Sequence, residues 1–304
     1  MAASGPPVAA VPERSLAFNL LISLRPGQWT KNLLVFAGLL FAKRLFDPAA
    51  VADAMAAFTI FCALSGAVYL VNDILDREID RRHPTKARRP IASGALPVGV
   101  AASTSAVLTG SGLLGAFVIN SKFGWVAAGY LALQVLYSAK LKHIVILDVL
   151  TIAIGFVLRA AGGAFAIDVE ISQWLLVCTI LLALFIALAK RRHELVLLAD
   201  GATGHRPILG EYSAYLLDQM ISVVTASTLV AYIFYTISPE TQEKFGTALL
   251  ELTIPFPIYG IFRYLYLVHR REGGGSPAEL LLTDRPLLAC VALWAASVAF
   301  IIYR

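Results

Sequence analysis

The sequence predicts an all-α polytopic membrane protein, and three observations carry that fold class. Of its 304 residues, 58% are hydrophobic and 15% charged, against about 45–50% apolar and about 25% charged in soluble domains. The apolar residues gather into blocks close to the roughly 20 residues a helix needs to cross a bilayer. Lys and Arg divide unequally between alternate connecting segments, as the positive-inside rule requires of a multi-pass chain.

Nine transmembrane helices are expected, over 18–42, 52–72, 99–119, 123–138, 144–166, 172–189, 219–238, 248–268 and 286–303. Residues 1–15, rich in small residues and Pro, read as a disordered tail without the pattern of a signal peptide. Residues 16–304 read as a single domain. The first span is interrupted by RPGQWTKN, Arg25 to Asn32. The second ends in NDILDREID. The third carries Gly112 and Gly115, small residues that pack helices within a subunit or between copies, which leaves a homo-oligomer open. The fourth, at 16 residues, is short and closes with Tyr137, Lys140, Lys142 and His143. Asp148 opens the fifth, and Arg159 lies well inside it in GFVLRAAGG. The sixth ends in the loop ALAKRRHEL, and Gly273–Gly275 reads as a flexible linker before the last span.

With nine spans, and with Arg25 of the interrupted first span counted on the N-terminal side, the side holding the N-terminus and the even-numbered loops carries 17 Lys and Arg, and the opposite side five. That ratio places the N-terminus and the charged loops in the cytoplasm, with the chain in the plasma (inner) membrane. Net charge +5 and pI near 9.1 then reflect basic loops beside anionic headgroups. No nucleic-acid-binding motif competes with that account, and no nucleic-acid partner is expected.

The chemistry concentrates at the end of the second span. Asp73, Asp76 and Asp80 follow the i, i+3, i+7 spacing that places three carboxylates on one helix face. Ionised carboxylates that close repel, so the pattern calls for a divalent cation between them. Oxygen-only ligands suit Mg²⁺, which is held by one or two carboxylates together with substrate phosphates. The same loop continues with Arg81, Arg82, Lys86, Arg88 and Arg89, bases able to hold phosphoryl oxygens. Local surface salt bridges are the plainer reading of those charges. At the end of the sixth span, Lys190, Arg191 and Arg192 precede Glu194, and no second aspartate-rich cluster follows. Ionisable residues inside a span face a polar cavity or a partner, which singles out Arg159. Trp29 and Tyr137 also fit ordinary interface anchors.

Other chemistries find no footing. The three cysteines, Cys62, Cys178 and Cys290, lie in separate apolar runs and match no metal or disulfide spacing. The five histidines give no zinc-ligand spacing. GxSxG, Walker A and GxGxxG patterns do not occur in a suitable context. A transporter or a non-catalytic scaffold with basic loops stays open on the residues alone.

RPGQWTKN, VYLVNDILDREIDRRHPTKARRPIASG, LKH, GFVLRAAGG and KRRHEL, in a nine-span chain of this length, resemble the UbiA-type intramembrane prenyltransferase superfamily. Within it they are similar to the branch called decaprenyl-phosphate phosphoribosyltransferase. The resemblance runs from Leu24 onward and implies a UbiA-like helical bundle with a cytoplasm-facing site. Typical members carry two acidic motifs; here KRRHEL stands in the second position and offers positive charge. The resemblance implies Mg²⁺ on Asp73, Asp76 and Asp80, with Asn72 orienting a ligand. It implies phosphoribosyl diphosphate as donor, bound by Lys31, Asn32, Lys190, Arg191 and Glu194. It implies a polyprenyl phosphate acceptor near Lys86, Tyr137, Lys142 and Arg159. The alternative activity is transfer of a prenyl group from its diphosphate to an aromatic or other acceptor.

Overall fold

The computed structural model describes residues 15–83, 85–171, 173–199, 207–270 and 283–304. The expected disordered tail, save for Ser15, and the Gly273–Gly275 linker lie outside these residues. The described residues are predominantly helical, without strands. In chain order the α-helices are α1 (Leu16–Ser23), α2 (Ala37–Phe41), α3 (Pro48–Leu75), α4 (Arg77–Arg81), α5 (Pro90–Ser93), α6 (Val98–Ile119) and α7 (Ser121–Ala139). Then follow α8 (Leu147–Ala166), α9 (Gln173–Ala199), α10 (Ala214–Ile237), α11 (Pro239–Phe245), α12 (Pro255–Arg270) and α13 (Arg285–Tyr303).

Local sequence sets most of these boundaries. Asp47 caps α3 by accepting from the Ala49 and Ala50 amides, with Pro48 at the first helical position, where its missing N–H costs nothing. Asn120, Ser213 and Asp284 cap α7, α10 and α13 in the same way. At 28 residues α3 is about 42 Å long. It therefore crosses a bilayer and carries its acidic end out of the apolar layer.

Among the described residues six helices, α3, α6, α8, α9 (to Val196), α10 and α13, are long and apolar enough to cross a membrane, or seven if one bent pair counts as a single span. In that pair α11 and the run Leu249–Val268 meet at 102°. The protein is an integral membrane protein. α7 lies where the fourth span is expected but is not among these six.

The first expected span, 18–42, is not one helix. It is α1, a 3₁₀ run over Pro26–Phe36, and α2. Pro26 keeps Arg25 out of the right-handed helical region, and Arg25 takes φ 55°. The KRRHEL loop is likewise not a loop: α9 continues through it to Ala199.

Two apolar cores flank α8. Val35, Phe61, Leu64, Phe123 and Tyr130 join the 3₁₀ run to α3 and α7, with Ala166 of α8. Val149 of α8 joins Phe185, Leu188, Leu217, Ile221 and Ile261 of α9, α10 and α12. Close approach of the 3₁₀ run depends on Gly163, where an added Cβ would lie 2.0 Å from the Val35 carbonyl oxygen. The same approach brings Asn32 against Arg159.

Candidate active site

Two polar clusters occupy the end of the bundle where α3, α7 and α9 finish and α8 begins, and a third lies further inside. The acidic cluster is built on the C-terminus of α3. That helix stops at Leu75, Asp76 is the residue between it and α4, and Asp80 lies within α4. Asp73 and Asp80 are 4% and 2% exposed. Arg25 Nη2 donates to Asp73 Oδ1 at 2.5 Å. Arg89 Nη1 donates to the same oxygen at 3.0 Å and to Asp80 Oδ2 at 2.7 Å. The Arg25 guanidinium also lies over the Tyr69 ring, 4.6 Å from its centroid.

The expected set of three carboxylates on one continuous helix face is therefore corrected. Two of them converge, and Asp76, at the helix break, is half-buried with no ion pair among the described residues. No group of three or more His, Cys, Asp or Glu side chains is arranged to hold a metal ion among those residues. The donor set nevertheless fits a hard cation. One carboxylate oxygen from each of Asp73 and Asp80 reaches a single point, the Arg89 nitrogen, at 3.0 and 2.7 Å. A cation there needs each oxygen to close by less than about 1 Å to reach Mg²⁺–oxygen distances.

The second cluster is buried where α8 and α9 meet the end of α7 and the segment that precedes α10. Arg191, 2% exposed, donates through Nε to Asp148 Oδ2 at 2.7 Å and through Nη1 to Glu194 Oε2 at 2.6 Å. Its Nη2 lies 3.5 Å from the Tyr137 hydroxyl. Tyr212 donates to Asp148 Oδ1 at 2.7 Å and accepts from the Ile146 amide at 2.8 Å. Burial first, then the Asp148 carboxylate, push the Tyr212 hydroxyl up to about 12. Glu194 Oε1 also lies 3.9 Å from Lys190 Nζ. The Arg191 charge is thus committed to two carboxylates inside the protein, which corrects its expected place on a donor phosphate. Nearby, Arg192 pairs with Asp218 and ties α9 to α10.

The third cluster lies deeper. Arg159 is about 17 Å along α8 from Asp148. Its Nε donates to Asn32 Oδ1 at 2.7 Å, Nη2 to the Tyr130 hydroxyl at 2.8 Å and Nη1 to the Gly155 carbonyl at 2.8 Å. Tyr130 and Phe156 present ring faces to the guanidinium, with centroids at 4.7 and 5.4 Å. No carboxylate neutralises it among the described residues. Lys31, half-buried on the 3₁₀ run, likewise has no ion pair there, and the positive charges of Lys190, Arg159 and Arg25 all bear on it.

The sequence grouping is rearranged by the fold. Asn32, expected with the donor, joins Arg159, expected with the acceptor. Tyr137, also expected with the acceptor, joins Arg191. Lys86 and Lys142 sit half-buried in short 3₁₀ turns without an ion pair among the described residues. Asn72 is half-buried one residue before Asp73. Arg25, Asp148 and Tyr212 were given no site role from sequence, although Arg25 and Asp148 stood out as charges within apolar runs; Arg89, expected among the bases for phosphoryl oxygens, is instead paired with the two carboxylates.

Residues 32–276 match the model of the UbiA prenyltransferase family. The chain is 34% identical over 307 residues to the decaprenyl-phosphate phosphoribosyltransferase of Mycolicibacterium smegmatis, covering 97% of this chain and 95% of that one. It is 32% identical over 297 residues to the protein of the same name from Corynebacterium glutamicum, covering 96% and 89%. Among solved structures it superposes on a UbiA homolog from Archaeoglobus fulgidus bound to GPP and Mg²⁺, with TM-score 0.70 and 20% identity over 94% of this chain and 100% of the other. That likeness establishes the fold. A membrane-embedded transferase is what the buried charge clusters and these relatives describe together, and the chain belongs to the UbiA prenyltransferase family.

Proposed function

We propose that the protein transfers 5-phosphoribose from phosphoribosyl diphosphate to a polyprenyl phosphate and releases diphosphate, with Mg²⁺. The observation that carries this reading is the asymmetry of the site. One half offers two buried carboxylates, Asp73 and Asp80; the other offers Lys31, Lys190 and Arg159, and its own carboxylates, Asp148 and Glu194, are both taken up by the buried Arg191. A substrate bearing a metal-bound diphosphate at one end and a phosphate at the other suits such a site, as do the names of the mycobacterial and corynebacterial relatives. The nine crossings, the single domain over 16–304, the cytoplasmic orientation and the plasma-membrane location complete the proposal. The lysine- and arginine-rich end of the bundle supports them.

Asp73 and Asp80, with Asp76 at the mouth, would hold the Mg²⁺ that neutralises charge on the departing diphosphate. Asn72 orients the donor beside them. Lys31 and Lys190 hold donor phosphate oxygens, and Glu194 receives a ribose hydroxyl or steadies Lys190. Arg191 acts from beneath, as the buried anchor of Glu194. The acceptor enters from the bilayer with its phosphate on Arg159, Lys86 or Lys142, and Asn32 and Tyr130 fix the Arg159 guanidinium. An acceptor phosphate oxygen bonds to C1 of the ribose as the C1–O bond to diphosphate breaks, and diphosphate leaves with the electron pair. A phosphate monoester is anionic near neutral pH, so no general base is needed. Positioning and preorganised charge supply the rate.

The test is incubation of the purified protein in lipid with radiolabelled phosphoribosyl diphosphate, polyprenyl phosphate and Mg²⁺. Label in the lipid phase supports the proposal. Product formed instead only from a prenyl diphosphate and an aromatic acceptor overturns it.

A further inference from the structure

We propose that Arg89 is the resident counter-ion of the metal-free acidic pair, and that a divalent cation enters only as Arg89 leaves. This rests on the Mg²⁺ reading above. Two carboxylates converging on one buried point, as Asp73 and Asp80 do, call for a positive group between them. In this structure one nitrogen, Arg89 Nη1, serves both. A cation coordinated by the same two oxygens would stand about 2.0–2.1 Å from each. That position overlaps the guanidinium, so occupancy by one excludes the other.

The two arginines at the site differ in how they are held. Arg25 is fixed by the turn at φ 55° and by the Tyr69 ring, and it touches Asp73 alone. Arg89 comes from the segment between the 3₁₀ turn Lys86–Arg88 and α5 and has no aromatic ring over its guanidinium among the described residues; in exposure the two side chains are alike, 31% for Arg25 and 30% for Arg89. Asp80 has no other ion-pair partner among the described residues. Withdrawing Arg89 therefore strips Asp80 completely and Asp73 partly, and opens a route from solvent to both.

The experiment is an Mn²⁺ titration of the detergent-solubilised full chain, read by loss of the free-ion EPR signal, with thermal melting alongside. Wild type, Arg89→Ala, Arg89→Lys and Asp73→Asn are compared. If the arginine-held state is about 90% populated, removing it tightens apparent Mn²⁺ affinity about tenfold. Arg89→Ala should show that gain, melt lower than wild type without metal, and recover with Mn²⁺. Arg89→Lys, which keeps the charge but not the fork, should fall between, and it carries the test should the alanine variant not fold. Mn²⁺ uptake that is lost in Asp73→Asn but equal or weaker in the Arg89 variants overturns this inference and leaves the metal reading standing. Uptake by none of the proteins overturns both.

Discussion

Arg159 donates through Nε to the Asn32 side-chain oxygen at 2.7 Å, joining α8 to a 3₁₀ segment 127 residues earlier in the chain. Dipoles and ring faces, with no carboxylate among the described residues, hold this intramembrane charge. The guanidinium therefore keeps its net charge for an anion. Arg159→Ala should raise the KM for polyprenyl phosphate at least about tenfold, the loss of one charge-assisted hydrogen bond. Asn32→Ala should move the same constant in the same direction by less. Steady-state kinetics with the acceptor varied check both, and an unchanged acceptor KM in Arg159→Ala would remove Arg159 from that role.

Asp73→Asn should lower kcat by about 10²–10³-fold, the scale seen when one electrostatic contact to developing charge is lost. Excess chelator should stop wild-type turnover, and added Mg²⁺ should restore it. Turnover that persists in chelator contradicts the metal-held diphosphate.

The buried pair of Asp148 and Arg191 behaves differently. Removing either partner strands a charge inside the bundle, so Asp148→Ala and Arg191→Ala should each cost about 3–5 kcal/mol of stability. The double variant should recover part of that loss, measured as a coupling energy between the two. Additive costs would show that the two charges are held independently. Lys190→Gln should instead raise the donor KM while the melting temperature stays near wild type.

Gly163→Ala should destabilise by about 1–3 kcal/mol. Its Cβ would fall 2.0 Å from the Val35 carbonyl oxygen, a backbone atom that cannot rotate away. The 3₁₀ run must then back off α8, taking Asn32 and Lys31 with it, so activity should fall further than melting temperature. A variant of normal activity would show that this close approach does not position the site.

Orientation is open to labelling. Native Cys62 and Cys290 are buried, and Cys178 is half-buried; a cysteine-free background removes all three. Arg82→Cys and Lys122→Cys place single thiols on exposed residues at opposite ends of the bundle. An impermeant maleimide added to intact cells should modify Cys at 122 and spare Cys at 82. The reverse pattern would invert the proposed topology.

Carboxylates at the end of α3 and the bounds of α6, α7 and α13, to within two residues, were legible in the sequence, because the length of an apolar run is a local property; α3 overruns the expected 52–72 at both ends, and the helix break at Asp76 undoes the three-carboxylate face. The first span was misread because hydropathy averages over Arg25 and Pro26, whereas one backbone at φ 55° breaks the helix there. KRRHEL was misread as a loop because charge at the end of an apolar run looks the same whether the helix stops or continues into water.

Composition and local pattern alone determined that this chain is a helical membrane protein with carboxylates at one end of its second span. Tertiary structure decided which cation meets which acid. Arg25 reaches Asp73 across 48 residues, Arg89 reaches it across 16, and Arg191 reaches Asp148 across 43. Pairing over such separations is set by how helices pack against one another. Packing here turns on close approaches such as that of Gly163 to Val35, which no periodicity in the sequence encodes.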